Sequence, residues 1–285
     1  MKRAFGTAAA AFGLVVGAAA QAPVPAPAVA IPAAAEPRAM LLADQAVAYF
    51  PASVPAGTAV APPILVLLHG ADRQPPNMIK RFAAEAEARG IVLLAPSSHG
   101  PSWDVVLRAQ RPPMREGAGR LHSARRYNGS RDADRVEAAL AELARHVPVD
   151  RSRTVLAGFS DGATFALALG LLRGHDFAGV IGFSPGIAVE VARPATGRPV
   201  FVSHGRGDPV LPFATSCGEI LPLLRSEGVP LHFRPFEGGH VVPEEVVTEF
   251  LDAAFGPPPG GAARPMEEDR RSCRGRVRAP VETPY

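Results

Sequence analysis

Cysteine and tryptophan are scarce: two cysteines, Cys217 and Cys273, and a single tryptophan in 285 residues. Two thiols cannot build a disulfide framework or a thiolate zinc site. H-E-x-x-H is absent, as are G-x-x-x-x-G-K-[ST] and a strand-borne G-x-G-x-x-G. The residues therefore imply neither a metal nor a nucleotide, and no cofactor is expected. Net charge is only +3, and no cluster of Lys/Arg interleaved with aromatics gives the footprint of a nucleic-acid partner. The one apolar run near the start is too short and too Ala/Gly-rich for stable membrane insertion.

Proline and glycine are instead plentiful, at 31 and 28 residues, and crowd the two ends and the middle. The opening "MKRAFGTAAAAFGLVVGAAA" is built like a secretory signal. Lys2 and Arg3 precede an apolar run, Ala4 to Val16, and small residues lead to a cleavage point near Ala20. Residues 1–20 as a signal would export the protein to the periplasm or the medium. The competing reading starts translation at Met40 and leaves the product cytoplasmic. Residues 21–43, including "QAPVPAPAVAIPAAAEP", read as an Ala/Pro-stiffened linker, residues 44–255 as the folded domain, and residues 256–285 as a disordered Pro/Gly/Arg-rich tail.

Within that domain, short apolar runs alternate with helical patterns. The runs are Pro63–Gly70, Gly90–Pro96, Arg153–Ser160, Phe177–Gly186, Pro199–Gly205 and Leu231–Gly239. Most are continuously apolar, as strands covered on both faces must be. In Arg131–Val147, Val136, Ala139, Leu140, Leu143 and Val147 recur at helical spacing, and Ile79, Phe82, Ala83 and Ala86 do so upstream, where Gly90 can stop the helix. Ser216 and Glu219 suggest a capping box for a helix ending before Gly228, and Gln45–Phe50 a first, antiparallel edge strand. Strand and helix in unbroken alternation predict an α/β fold with a mostly parallel sheet between helices.

One stretch carries chemistry. "VLAGFSDGATFALALG" runs from strand to helix through Gly158-Phe159-Ser160-Asp161-Gly162. A G-x-S-x-G turn there lifts a serine hydroxyl above the sheet, and the flanking glycines avoid collision with strand and helix. A serine needs a base, and the base an orienting acid. Asp208 in "VSHGRGDPVLP" and His240 in "FEGGHVVPEE" follow later strands in the order Ser, Asp, His used by α/β hydrolases. His204 stands too near Asp208 in sequence to be preferred as base, and Asp134, upstream of the serine, is the weaker candidate acid. The backbone N–H groups of Asp161 and Ala71 are the expected oxyanion donors. His69, Gly70 and Trp103 are candidate pocket residues, although Trp103 serves equally as core.

"LVLLHGAD", "APSSHGPSWD", "GFSPG" and the segments above resemble the phospholipase/carboxylesterase branch of the α/β hydrolases, over Pro62 to Phe255. The resemblance implies one α/β-hydrolase domain that cleaves small-molecule carboxylic esters or thioesters with Ser160, Asp208 and His240. Between Asp104 and Arg131 the chain departs from that pattern with an Arg-rich insertion holding Arg108, Arg111, Arg115, Arg120, Arg125 and Arg126. It either borders the active-site mouth or forms a solvated surface loop. Broken by Pro112, Pro113, Gly117 and Gly119, it lacks the apolar stripe of a lipase lid, so short acyl groups are expected. A prolyl-oligopeptidase-type peptidase would carry a large additional domain, and a non-catalytic binding protein would have lost part of the triad. Neither feature is seen. Cys217 reads as helix packing, and the tail position of Cys273 weighs against a bond between them.

Overall fold

In a computed structural model, which describes residues 36–110, 126–127, 129–191, 194, 197–262 and 273, ten strands appear, seven of them where the sequence predicts strands. They are β1 (Arg38–Leu41), β2 (Val47–Phe50), β3 (Ile64–Leu68), β4 (Val92–Ala95), β5 (Arg126–Tyr127), β6 (Thr154–Phe159), β7 (Gly179–Phe183), β8 (Glu190–Val191), β9 (Val200–Gly205) and β10 (Leu231–Phe236). Eight of them form one sheet in the order β1-β2-β4-β3-β6-β7-β9-β10, and β5 pairs with β8 alone. The pairs β1/β2 and β2/β4 are antiparallel. From β4 to β10 every pairing is parallel.

The continuous apolar runs now have their cause. Along β3, Ile64, Val66 and Leu68 point into one core while Leu65 and Leu67 point into the other. Helices α1 (Pro75–Arg89) and α7 (Glu244–Phe255) cover one face through Met78, Ile79, Phe82, Val246, Val247 and Phe250. The other face is covered by α2 (Asp104–Ala109), α3 (Arg131–Leu143) and α4 (Asp161–Arg173). A last helix on that face has three stretches: α5 (Phe213–Thr215), a π-helical turn (Ser216–Ile220) and α6 (Leu221–Ser226).

The helix boundaries follow local chemistry. Ser130 caps α3 by accepting from the Ala133 N–H at 3.3 Å, and Gly90 stops α1 at φ 66°, in the left-handed region where glycine carries no steric penalty. Helix α4 is buried from Gly162 through Leu171, as a helix wedged into a core must be. Because α1 and α4 leave β3 and β6 toward opposite faces, the sheet has its topological switch point between those two strands, where ligands bind at the carboxyl ends. Among the described residues, no helix is long and apolar enough to cross a membrane.

Three boundaries differ from expectation. The linker assignment to residue 43 fails at its end, because Arg38–Leu41 pairs with Val47–Phe50 and displaces the latter from the sheet edge. The new edge strand is short and carries Leu41, which is 74% exposed, so no apolar run announced it. The capping box also fails: Ser216 lies inside the continuous helix and Pro212 precedes that helix. Its hydroxyl is drawn instead to a buried imidazole. Within the expected tail, Cys273 is bonded to Cys217 of the π-helical turn and packs against the core. The signal segment and most of the Arg-rich insertion, residues 111–125, lie outside the described residues.

Candidate active site

Strand β6 delivers Ser160 into α4 at φ 58° and ψ −120°, a backbone conformation that non-glycine residues adopt only when surroundings impose it. The surroundings are the two glycines. A Cβ at Gly158 would run into the Gly162 carbonyl, and one at Gly162 into the carbonyls of Leu68 and His69 at the end of β3. Both neighbours are backbone and have no room to yield. The Ser160 N–H is tied to Phe183 O at 2.9 Å, which ties the turn to β7.

The loops after β9 and β10 are brought together by the same device. A Cβ at Gly205 would strike the carbonyls of Gly238 and Gly239, so these loops touch backbone to backbone. The N–H of Arg206 donates to Phe236 O at 2.9 Å and that of Gly207 to Gly238 O at 2.9 Å. Asp208 and His240 consequently meet: Nδ1–H donates to Asp208 Oδ2 at 2.7 Å. Nε2 then faces Ser160 Oγ at 2.9 Å. With Nδ1 protonated toward the carboxylate, Nε2 is free to accept the serine proton.

Asp208 is held at both oxygens. Oδ1 accepts from the N–H groups of Val210 and Leu211, each at 2.9 Å. Burial by itself would raise its carboxyl, but the Leu211, His240 and Val210 donors outweigh that and hold it below the ordinary aspartate range. The carboxylate therefore stays charged beside the imidazole.

The loop after β3 supplies the second wall. Gly70 abuts the serine, since a Cβ there would stand 3.5 Å from Ser160 Cβ. The Gly70 carbonyl accepts from His69 Nδ1–H at 2.6 Å and from the Arg73 N–H at 3.2 Å. In a trans peptide this turns the Ala71 N–H the opposite way. Among the described residues, neither the Ala71 N–H nor the Asp161 N–H has a hydrogen-bond partner. Asp161 opens α4, where N–H groups are unsatisfied and the helix dipole is positive. Two such donors beside a serine suit an oxygen that gains negative charge.

His69 and Trp103 do not line a pocket by their side chains; both are fully buried. The Trp103 ring stacks between His69 and Phe165 of α4, at 4.5 and 4.6 Å between centroids. Its Nε1–H donates to His69 O at 2.7 Å. His69 Nε2 accepts the Ser98 N–H at 3.0 Å. Burial lowers its basicity, so the ring is neutral with its proton on Nδ1. The stack supports the loop that carries Gly70 and Ala71.

Of the two aspartates on α3, Asp134 is exposed while Asp132 is buried. Asp132 ties the 99–104 loop to the helix by accepting from the N–H groups of His99 and Asp104, each at 2.6 Å. Sequence reasoning passed over it, since D-A-D opening a helix reads as dipole complement. It also set aside His204, which lies 3.2 Å from Asp208 Oδ2 through Nε2. The signal was the H-G-x-x-D spacing itself.

A serine–histidine–aspartate array above the carboxyl ends of a mostly parallel, helix-covered sheet defines an α/β hydrolase. Residues 52–249 match the model of the phospholipase/carboxylesterase family. The chain belongs to that family and is an ester-hydrolysing enzyme. Among solved structures it is similar to esterase PE8, at 24% identity and TM-score 0.51 over 70% of this chain and 96% of that one. It is also similar to a Bacillus cereus carboxylesterase, at 19% and 0.51 over 74% and 94%. A CE1 ferulic acid esterase from Anaeromyces mucronatus aligns at 16% and 0.54 over 77% and 91%. At these identities the likeness is one of fold. No curated protein matches the chain.

Proposed function

We propose that the enzyme hydrolyses small soluble carboxylic esters with short acyl groups through an acyl-enzyme on Ser160. The unbroken line from Ser160 Oγ through the His240 ring to Asp208 Oδ2, at 2.9 and 2.7 Å, carries this reading. Ser160 Oγ attacks the ester carbonyl carbon as its proton passes to His240 Nε2, and Asp208 stabilises the imidazolium. The carbonyl oxygen becomes an oxyanion facing the N–H groups of Ala71 and Asp161. Collapse breaks the bond to the alkoxy oxygen, which leaves as alcohol with the proton from Nε2. Water then repeats the sequence on the acyl-enzyme and releases the acid. A fluorophosphonate probe should label the wild-type protein, and Ser160→Ala should lose both labelling and ester hydrolysis. Labelling that persists in the variant rejects Ser160 as the nucleophile.

Export is part of the same proposal. The Cys217–Cys273 bond supports it, because disulfides persist mainly in oxidising compartments. The pairing of Arg38 with Phe50 and Ala39 with Tyr49 supports translation from the upstream start, since a chain begun at Met40 would lose half of β1.

A further inference from the structure

Asp208 Oδ2 stands between two imidazoles, and the reaction above uses only one. His204 is fully buried. Its Nε2 lies 2.9 Å from Leu211 O and 3.2 Å from Asp208 Oδ2, both acceptors, so Nε2 bears the proton and shares it between them. Its Nδ1 lies 2.7 Å from Ser216 Oγ and accepts that hydroxyl proton. Ser216 thus fixes the tautomer, which explains a serine buried inside a helix where a cap was expected.

We infer that His204, locked by Ser216, is a positioning residue that holds the Asp208 carboxylate toward His240 while remaining uncharged. The inference rests on the Ser160–His240–Asp208 reading. Leu211 closes the arrangement: its N–H donates to Asp208 Oδ1 at 2.9 Å while its carbonyl takes the His204 proton at 2.9 Å. One imidazole therefore fixes both the carboxylate and the turn that orients it. Neutrality matters chemically. A cation at this position would cancel the carboxylate charge that must stabilise the His240 imidazolium, whereas a neutral N–H orients the oxygen and leaves the charge in place. Burial favours the neutral form. The titratable and charged groups around the pair are His240 on the β10 loop and, on its own loop, Arg206. The Arg206 guanidinium lies over Phe213 at 5.3 Å and pairs with Glu237 at 3.2 Å. Phe213 meets the His204 ring edge-on at 5.9 Å.

The test is His204→Leu, with active sites counted by fluorophosphonate titration. Loss of a donor to a charged group should lower kcat per titrated site by about ten- to hundredfold with KM little changed. The acid limb of kcat/KM should move to higher pH, because a carboxylate with fewer donors binds the His240 imidazolium more strongly. His204→Gln, which keeps an N–H donor near the Nε2 position, should recover most of kcat. If the leucine variant does not fold, Ser216→Ala frees the tautomer and should move kcat and the acid limb in the same direction by less. A kcat per titrated site within twofold of wild type, or an unmoved acid limb, overturns the inference. Absence of labelling in wild type would instead reject the underlying catalytic reading.

Discussion

Acidification should destabilise this fold well before its carboxylates titrate, and the cause is two buried histidines. His69 and His204 are fully buried, and burial lowers the pKa of each. The sign follows directly. Below the unfolded value of about 6.5 the unfolded chain takes up protons on these two histidines more readily than the folded chain does, so stability present above that pH is lost beneath it. For a histidine that stays neutral in the fold to pH 5, linkage gives about 2 kcal/mol lost between pH 7.5 and 5.0, or about 4 kcal/mol for the pair. His69 resists protonation through geometry as well. The Ser98 N–H already points at Nε2 from 3.0 Å, and a second hydrogen there would face it. The Ser216 hydroxyl can rotate to accept from a protonated His204, so His69 should be the stiffer of the two. Asp132 has the opposite sign: burial pushes its carboxyl up, so proton uptake there offsets part of the loss. Asp208, held low, contributes only below about pH 4. Urea unfolding at pH 7.5 and 5.0, followed by fluorescence of Trp103, measures the difference, and histidine 15N shifts report the His69 tautomer. Equal unfolding free energies at the two pH values, or a folded His69 imidazolium at pH 5, would refute the reasoning.

Reducing the Cys217–Cys273 bond, or replacing both cysteines by serine, should cost up to about 4 kcal/mol by the chain-entropy relation, since the bond joins residues 56 positions apart. An unchanged urea midpoint would show that the bond does not form in solution. On p-nitrophenyl esters, kcat/KM should peak at acyl chains of about C2 to C6, because each further methylene contributes at most about 0.8 kcal/mol and only while it is buried. A rate still climbing at C12, or a jump at the substrate solubility limit, would reject the short-chain reading.

The parallel core was legible because its strands are buried on both sides. The run from Ile64 to Leu68 has no polar residue to assign a face, and in the fold successive side chains enter different cores. Ser160, Asp208 and His240 were legible because glycine betrays close backbone approach. Gly158 and Gly162 mark one crossing, and Gly205, Gly238 and Gly239 mark the other. What escaped has no such local signature. The strand Arg38–Leu41 is defined by its partner, and the Cys217–Cys273 bond by a return of the chain across 56 positions. Trp103 was ambiguous because its indole N–H finds its acceptor, His69 O, 34 residues away.

The two H-G doublets show where local reading stops. His69-Gly70 and His204-Gly205 each end a strand beside the site, and each looks like an ordinary turn. Gly205 permits the close backbone approach of the loop bearing His240, whereas a Cβ at Gly70 would lie in ordinary van der Waals contact with Ser160. In both, a buried neutral imidazole donates one ring proton to a carbonyl, Gly70 O at 2.6 Å and Leu211 O at 2.9 Å. Each ring accepts at its other nitrogen, from the Ser98 N–H and from the Ser216 hydroxyl. A buried histidine so bonded favours a single tautomer and the neutral form, which lets it fix a peptide beside the site without perturbing the field there. One fixes the peptide whose N–H faces away from His69, and the other fixes the turn that orients Asp208. In the proposed mechanism, the two elements that must not move as charge develops on substrate and imidazole, the Ala71 N–H and the Asp208 carboxylate, therefore rest on the same kind of support. Replacing either histidine with a residue that keeps its volume but not its donor should spare the fold more than the rate.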